Sequence, residues 1–439
     1  MKKISADVLA SLSGEFLLYF FALIFGILTA RFLGPTGKGQ FGVIFNAAGL
    51  SAMIFSLRFE RSLTYFLPKD KDLLGEVILY GMIVGTVTNL CLFLVVTLLH
   101  DFIYHVLLKG IVVSILVLVL VSFSTYLWSF INYLLAGLML FRARAAFMGF
   151  SYLLKSFEVL ICLWVLKLNL NDLIFVMGSL ETILYLSILS YIYIRSEYKR
   201  FNLSTFRDML KYSTELFPGI VSDLVTLRID IFFLNYFSGA AQVGIYSVAI
   251  SMANVLLYVP TAVKNVLKSY VAKNLEDEIT PRITRLLIVG MILLCALLIP
   301  FVVILVIPIL YGGKFLFSRI LFLILIPGTI FWGVHSIILS DLEGRGLPRK
   351  VSQISLITGI VTIILDLTLI PLWNATGAAL ISTITYALGL FLAVKIYKRI
   401  VKVKLTNLLI PTFDDICFFP RLLLSLITTG KDRSSKVKI

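Results

Sequence analysis

The chain has 439 residues, of which 59% are hydrophobic and 14% charged, and its mean hydropathy is +1.01. A soluble domain is roughly 45–50% apolar and about 25% charged, so the composition excludes an ordinary water-soluble protein. The formal net charge of +15 does not point to a nucleic-acid partner, because the basic residues lie mostly in loops between apolar segments, as is typical of membrane topology.

Twelve apolar segments follow one another along the chain, and most approach the roughly 20 residues that a helix needs to cross a bilayer. They lie at 8–30, 41–57, 77–99, 110–138, 146–166, 173–194, 215–237, 243–263, 286–310, 320–339, 351–372 and 377–394. The first follows Lys2 and Lys3 and shows no small-x-small cleavage site, so it is interpreted as a retained helix. We predict an all-α, multi-pass protein of the cell membrane with about 12 transmembrane helices.

The distribution of lysine and arginine sets the predicted orientation. If the N-terminus is cytoplasmic, the inside segments carry 31 basic residues and the outside loops carry six. Because cytoplasmic loops are enriched in Lys and Arg, this asymmetry predicts that both termini lie in the cytoplasm. The outside loops are also short, which leaves no room for an external catalytic domain.

Two stretches 205 residues apart share a spacing of glycines. Gly34 and Gly39 in the first correspond to Gly239 and Gly244 in the second, and an aromatic residue follows two positions after each second glycine. Each stretch joins the first helix of a six-helix half to the second helix of that half. The pattern predicts a parallel repeat about an axis along the membrane normal, which is common among transporters.

The repeat divides the chain into three predicted units. These are an N-lobe at 1–200 with helices 1–6, a C-lobe at 201–395 with helices 7–12, and a basic cytoplasmic tail at 396–439. Prolines and charged residues interrupt an apolar stretch of the tail at 405–429, which predicts one or two amphipathic helices on the inner membrane surface. A spanning pair of helices is the alternative for this stretch.

Acidic residues inside the spans are the candidates for ion coupling, because charges at bilayer depth are costly and usually face a cavity or a partner. Glu15, Asp230 and Asp366 lie in the first, seventh and eleventh spans, and none has a cation next to it in sequence. In the fifth span, Lys155 and Glu158 are three residues apart and able to pair.

Basic residues at bilayer depth form a second set. Arg58 and Arg61 follow the second span on one helical face, from which Glu60 is turned away, and Arg228 lies in the seventh span. A simpler interpretation is that Arg58 and Arg61 extend to the cytoplasmic headgroups. His335 in the tenth span is interpreted as a core residue rather than a proton relay.

Motifs of common enzymes and channels are absent from the sequence. It contains no Walker A lysine motif, no HExxH or GxSxG motif, no zinc-ligand spacing and no selectivity-filter sequence. Its four cysteines form no CxxC pair. We therefore expect no enzymatic activity, no ATP hydrolysis, no bound metal and no cofactor.

The segment at 31–41 reads RFLGPTGKGQF and resembles the R-x-L-G-P-x-x-x-G-x-F stretch of the polysaccharide transporter family, which holds the Wzx-type flippases. Further matches to this family lie at 230–247, 311–328 and 344–346, so the resemblance covers about residues 1–395. The family belongs to the superfamily that also contains multidrug-extrusion (MATE) transporters and lipid II flippases.

The resemblance implies two six-helix lobes around a central cavity that opens alternately to the two membrane faces. Its cargo would be an undecaprenyl- or dolichyl-linked oligosaccharide, moved to the outer leaflet. Family members are associated with a cationic cavity, for which the candidates here are Arg58, Arg61, Lys155 and Arg228. Such cations suit a pyrophosphate headgroup, since arginine offers a fork of donors.

The leading hypothesis is a flippase for surface polysaccharide such as O-antigen, coupled in some members of the family to H+ or Na+ and working beside glycosyltransferases and a polysaccharide polymerase. Glu15, Asp230 or Asp366 would then be the coupling acid. A MATE-type drug/cation antiporter is the alternative, and it would need an anionic cavity. Two further hypotheses are a membrane-embedded enzyme of polysaccharide assembly and a scaffold. The enzyme would need a sizeable outer catalytic loop, and the predicted outside loops are short.

Overall fold

A computed structural model of the protein describes residues 2–109, 111–196, 201–273 and 279–416, and over these ranges it is helical with no strand. The helices in chain order are α1 Lys2–Phe55, α2 Leu63–Phe66, α3 Leu74–Leu98, α4 His100–Phe102, α5 Ile115–Gly137, α6 Phe141–Val159, α7 Leu170–Arg195, α8 Leu203–Ser238, α9 Ala240–Ala253, α10 Tyr258–Lys273, α11 Ile279–Pro300, α12 Ser318–Gly344, α13 Pro348–Val401 and α14 Leu405–Leu409. Short π-helical segments extend α4, α6 and α11, and a 3-10 helical turn joins α9 to α10.

The helices account for the predicted spans. Within the described ranges, nine helical segments are long and apolar enough to cross a membrane. Two of them are double, because α1 breaks at Gly34 (φ 65°) and α13 breaks at Asn374 (φ 50°). The charged helix α8, 36 residues long, is the seventh span in chain order and brings the total to twelve. The prediction of an all-α fold with about twelve transmembrane helices is confirmed.

Every predicted outer turn contains a residue in the left-handed backbone region. These residues are Gly34, Lys109, Lys167, Gly239, Gly312 and Asn374, with φ between 44° and 96°. A single left-handed residue ends a helix and reverses the chain sharply, which glycine and asparagine tolerate best. Gly34, Gly239 and Asn374 each connect two helical segments as a single residue, whereas the outer connection between α3 and α5 contains α4 and is longer.

The two glycine stretches pack against each other. A side-chain carbon on Gly39 would overlap the carbonyl oxygen of Ala240, and one on Gly244 would overlap the carbonyl oxygen of Pro35. Pro35 and Ala240 are separated by 205 residues, as Gly39 and Gly244 are, so the contact is reciprocal. Reciprocal contacts arise about a two-fold axis, which supports the parallel repeat.

Further contacts join the first six spans to the last six at their outer ends. Arg31, in the first span, donates from its Nε to the carbonyl oxygen of Leu310 at 2.6 Å and also reaches the carbonyl oxygen of Ile309. Lys109, in the second outer turn, donates to the carbonyl oxygen of Tyr236 near the end of α8. These bonds tie the two halves together on the side away from the predicted cytoplasmic loops.

The described start of the tail lies against the inner end of α11. Helix α14 packs on α11, and the Nε atom of Arg285 lies 2.7 Å from the Oδ2 atom of Asp415. Thr412 donates to the same carboxylate from its backbone N–H at 2.9 Å and from its hydroxyl at 2.7 Å. Most of the stretch at 405–429 that the sequence predicts to be amphipathic lies outside the described residues.

Asp415→Asn is expected to loosen the tail at neutral pH. Burial raises the pKa of Asp415, but the Thr412 N–H and the Arg285 guanidinium lower it more, so the pKa lies below its ordinary value. The carboxylate therefore stabilises the docked tail at neutral pH, and this stabilisation disappears only as the pH falls through the lowered pKa. Hydrogen bonds to charged groups contribute ~1.5–3 kcal/mol, so amide exchange in this segment should accelerate at least about tenfold.

Hydrogen–deuterium exchange of the full-length protein measures this effect, with the exposed neighbour Asp414→Asn as the control. Equal exchange in the two variants would show that the Asp415 carboxylate does not hold the tail.

Candidate functional site

Asp230 and Asp366 form a buried pair of acids inside the last six spans. Asp230 lies on α8 and Asp366 on the first half of α13, and the exposed fractions of the two residues are 4% and 0%. The two carboxyl groups are close enough to interact electrostatically. The structure therefore brings together two of the three predicted coupling acids.

The two acids have different surroundings. Asp230 accepts a hydrogen bond from the Tyr246 hydroxyl at 2.5 Å and one from the backbone N–H of Ile231 at 2.9 Å. The Tyr246 hydroxyl also lies 3.0 Å from the Ser382 hydroxyl. For Asp366, by contrast, neither carboxylate oxygen has a hydrogen-bond partner among the described residues.

This arrangement suits a monovalent cation. A bare carboxylate in a membrane interior is costly, and two neighbouring carboxylates are costlier still unless a proton or a metal cation lies between them. The Tyr246 and Ser382 hydroxyls add oxygen atoms at the same place. Arg228 is close enough to Asp230 to attract it, so this predicted substrate cation lies beside the acids.

In the first six spans, Lys155 pairs with Glu181 and not with Glu158, the acid three residues away in sequence. Its Nζ atom lies 3.3 Å from Oε1 of Glu181 on α7, and neither oxygen of Glu158 has a hydrogen-bond partner within the described part of the chain. The expectation that Lys155 is able to pair with Glu158 is thus replaced by an ion pair between helices. A lysine so engaged is less available to a substrate.

Arg58 and Arg61 lie where the second span ends on the predicted inner side. The expectation that Glu60 is turned away from them is wrong, because the Nη1 atom of Arg58 lies 3.0 Å from Oε1 of Glu60. Helix α1 ends at Phe55, and the positive φ angles of Leu57 and Arg58 interrupt the helical face on which that expectation rested.

Donors remain free on both arginines. Glu60 is buried and also accepts from the Ser129 hydroxyl at 3.1 Å, which fixes the Arg58 side chain. The Nε atoms of Arg58 and Arg61 have no hydrogen-bond partner among the residues that the structure describes. These two Nε atoms are buried, but the rest of each side chain is partly exposed, which leaves an anion from outside the protein access to it.

The remaining predicted residues are Glu15 and His335. Glu15 belongs to α1, but its side chain lies outside the described part of the structure. His335 is 1% exposed, as expected for a core residue, although both ring nitrogens lack a hydrogen-bond partner in the described ranges.

Sequence reasoning missed Tyr246 and Ser382 as partners of Asp230. Asp230 and Tyr246 lie in the same family-like stretch, which was the only signal available, and nothing in the sequence links either residue to Ser382.

Comparison with solved structures shows that the chain has a fold found in membrane transporters. The fold is similar to that of the lipid II flippase MurJ in its inward closed conformation, with a TM-score of 0.68 and 16% identity, covering 98% of this chain and 94% of that one. It is also similar to an inward-facing MATE family multidrug resistance transporter of the MOP superfamily, with a TM-score of 0.65 and 13% identity, covering 88% of this chain and 94% of that one.

A MOP superfamily transporter from Pyrococcus furiosus has a TM-score of 0.59 and 14% identity, with 91% of this chain and 95% of that one covered. At these identities the likeness shows the fold. The sequence itself matches the family described as polysaccharide biosynthesis protein over residues 4–264, and the chain belongs to that family. No curated protein matches the sequence. The chain is accordingly a multi-pass protein of the cell membrane.

Proposed function

We propose that this protein flips a polyprenyl-phosphate-linked oligosaccharide from the inner to the outer leaflet by alternating access, for the biosynthesis of a surface polysaccharide. Its moving units are the N-lobe at 1–200 and the C-lobe at 201–395, with the tail at 396–439 on the inner surface. The family match and a fold like that of a lipid II flippase support this proposal. The observation that carries it is the pair of partly exposed arginines, Arg58 and Arg61, at the inner end of the second span.

Arg58 and Arg61 are proposed to receive the diphosphate headgroup from the inner leaflet. Phosphate oxygens accept charge-assisted hydrogen bonds from guanidinium groups, and the buried Glu60 holds Arg58 in place. Lys155 and Arg228 lie within the spans beside the buried acids Glu181 and Asp230, so they are not assigned to the first contact with the headgroup. The sugars follow the headgroup between the lobes, and the lipid tail stays in the bilayer.

Asp230 and Asp366 are proposed to couple the cycle to H+ or Na+. An empty acid pair and a cation-loaded pair differ by one unit of charge inside the C-lobe, so loading changes how α8 and α13 pack. A conformation that shields the pair from water is favoured only when the pair is loaded. The cation gradient then biases which face of the membrane the cavity opens to.

The substitution Arg58→Ala/Arg61→Ala is expected to abolish display of the surface polysaccharide. Cells of the source organism that lack the chromosomal gene are supplied with each variant, and antibody labelling measures the polysaccharide at equal protein level. Each charge-assisted hydrogen bond contributes ~1.5–3 kcal/mol, so losing two should reduce flipping at least about a hundredfold.

Lys69→Ala/Lys71→Ala is the matched control, because it removes two exposed charges from the same inner loop. If the arginine variant labels like wild type, the arginines do not bind the headgroup. If deletion of the gene leaves the polysaccharide in place, the flippase proposal itself is wrong.

The acid pair also supports a second candidate function, a MATE-type antiporter in which a drug cation and H+ or Na+ exchange. The similarity to a multidrug transporter is consistent with it. Drug susceptibility of the same deletion strain separates the two candidates, since an antiporter predicts sensitivity to cationic drugs with normal polysaccharide.

A further inference from the structure

The first six spans contain a second buried acid without a partner. Glu158 on α6 is 4% exposed, and neither of its carboxylate oxygens has a hydrogen-bond partner in the described part of the chain. It lies one helical turn from Lys155, which is already paired with Glu181 at 3.3 Å. Two carboxylates and one ammonium group leave one negative charge without compensation.

Among the described residues, no second cation is paired with Glu158 or Glu181. The described titratable groups that face Glu158 or its partners come from α6, from its extension and from α7, and Lys155 is the one cation among them. These groups are Lys155, Tyr152, Cys162, Glu181 and Tyr185. Helix α5 adds the Ser124 hydroxyl beside Glu181. Helix α1 adds the Phe25 ring, which contacts Tyr152 and lies 5.8 Å from the Lys38 ammonium, and Lys38 donates to Gly26 and Thr29 of its own helix.

The internal repeat places this cluster at the counterpart of the acid pair in the other half. Glu158 precedes the left-handed residue Lys167 by nine positions, and Asp366 precedes the left-handed residue Asn374 by eight. Each of these breaks joins the last two spans of a half. The unpartnered acids thus lie at nearly the same depth in equivalent helices.

We propose that Lys155, Glu158 and Glu181 form a second site for one monovalent cation, either a proton or a sodium ion. Binding brings the cluster from a net charge of −1 to zero, which offsets the cost of an uncompensated charge in the membrane interior. Lys155 neutralises Glu181, and the incoming cation is held by Glu158. The protein then has one cation site in each half, and this inference is independent of the identity of the cargo.

Equilibrium binding of radioactive sodium to the purified full-length protein tests the sodium form of the site. The Asp366→Asn variant removes the contribution of the acid pair, and Glu158→Gln is then added to it. We expect the single variant to bind sodium and the double variant to lose this binding by at least tenfold.

Acid–base titration of the same two proteins tests the proton form of the site. We then expect no sodium binding in either protein, and the double variant should take up one proton fewer across neutral pH. Adding the exposed Glu215→Gln instead should change neither measurement. Unchanged sodium binding and unchanged proton uptake on adding Glu158→Gln would overturn the proposal.

A measurement on the unsubstituted protein guards against misfolding of the variants. Dicyclohexylcarbodiimide reacts with protonated carboxyl groups in apolar surroundings, and peptide mass mapping locates the adduct. Modification of Glu158 that increases with acidity supports a proton site, and protection by sodium but not by choline supports a sodium site. A Glu158 whose modification responds to neither pH nor sodium is a fixed structural acid, which would overturn the proposal.

Discussion

Replacing Asp366 with asparagine is expected to abolish cation-driven transport while leaving the protein folded. The carboxylate has no hydrogen-bond partner in the described residues, so the amide takes away the cation ligand without breaking a native hydrogen bond. Two opposite unit charges about 4 Å apart attract by ~4 kcal/mol at the effective dielectric constant of a protein, so losing one carboxylate should lower the affinity for the coupling cation at least about a hundredfold. Asp230→Asn should have the same effect and should also destabilise the protein, because it disturbs the bond to Tyr246.

Proteoliposomes give the direct measurement. They are loaded with lipid-linked oligosaccharide from the source organism, and a lectin added outside reports the sugars that have crossed under an imposed H+ or Na+ gradient. Asp101→Asn is the matched control, since it makes the same chemical change at a side chain that is 92% exposed. Gradient-driven flipping by Asp366→Asn at the wild-type rate would eliminate this residue as the coupling acid.

Gly39→Ala is expected to prevent the outer side from closing and thereby to stop the transport cycle. The added methyl group would overlap the carbonyl oxygen of Ala240, and backbone cannot move aside as a side chain can. Overpacking costs ~1–3 kcal/mol even where neighbours relax, so the population with a closed outer face should fall at least about fivefold. Because the contact is reciprocal, Gly244→Ala should give the same result.

Spin labels on opposite outer turns measure the closure. Cysteines introduced at the exposed positions Leu166 and Leu372, in a variant without the native cysteines, report the distance between the two halves. Gly49→Ala is the control, because it lies in the same helix and a methyl group there meets no atom within 4 Å. A normal distance distribution in Gly39→Ala would show that closure tolerates the extra carbon.

The spans were predictable from the sequence because they depend on local composition. Apolar length and the lysine and arginine bias need no knowledge of which helices are neighbours. The glycine repeat was also visible, but the sequence could not show that Gly39 and Gly244 pack on each other's stretches. That contact exists only once the two halves are placed face to face.

The candidate site was less predictable because its pairings join distant helices. The sequence identified Asp230 and Asp366 separately, and only the packing of α8 against α13 brings them together. Spacing allowed Lys155 to pair with Glu158, but Glu181 on the adjacent helix offers the carboxylate at bonding distance. At Glu60, two left-handed residues ended the helical periodicity on which the predicted orientation depended.

The tight outer turns have a consequence for biosynthesis. Since each outer connection contains a left-handed residue and joins two consecutive spans, the twelve spans form six helical hairpins. A hairpin can enter the bilayer from the cytoplasmic side as a unit, and the polar material that must cross is a short turn rather than a loop. The larger cost of moving charges through lipid is avoided, because the basic segments remain on the side where they are synthesised.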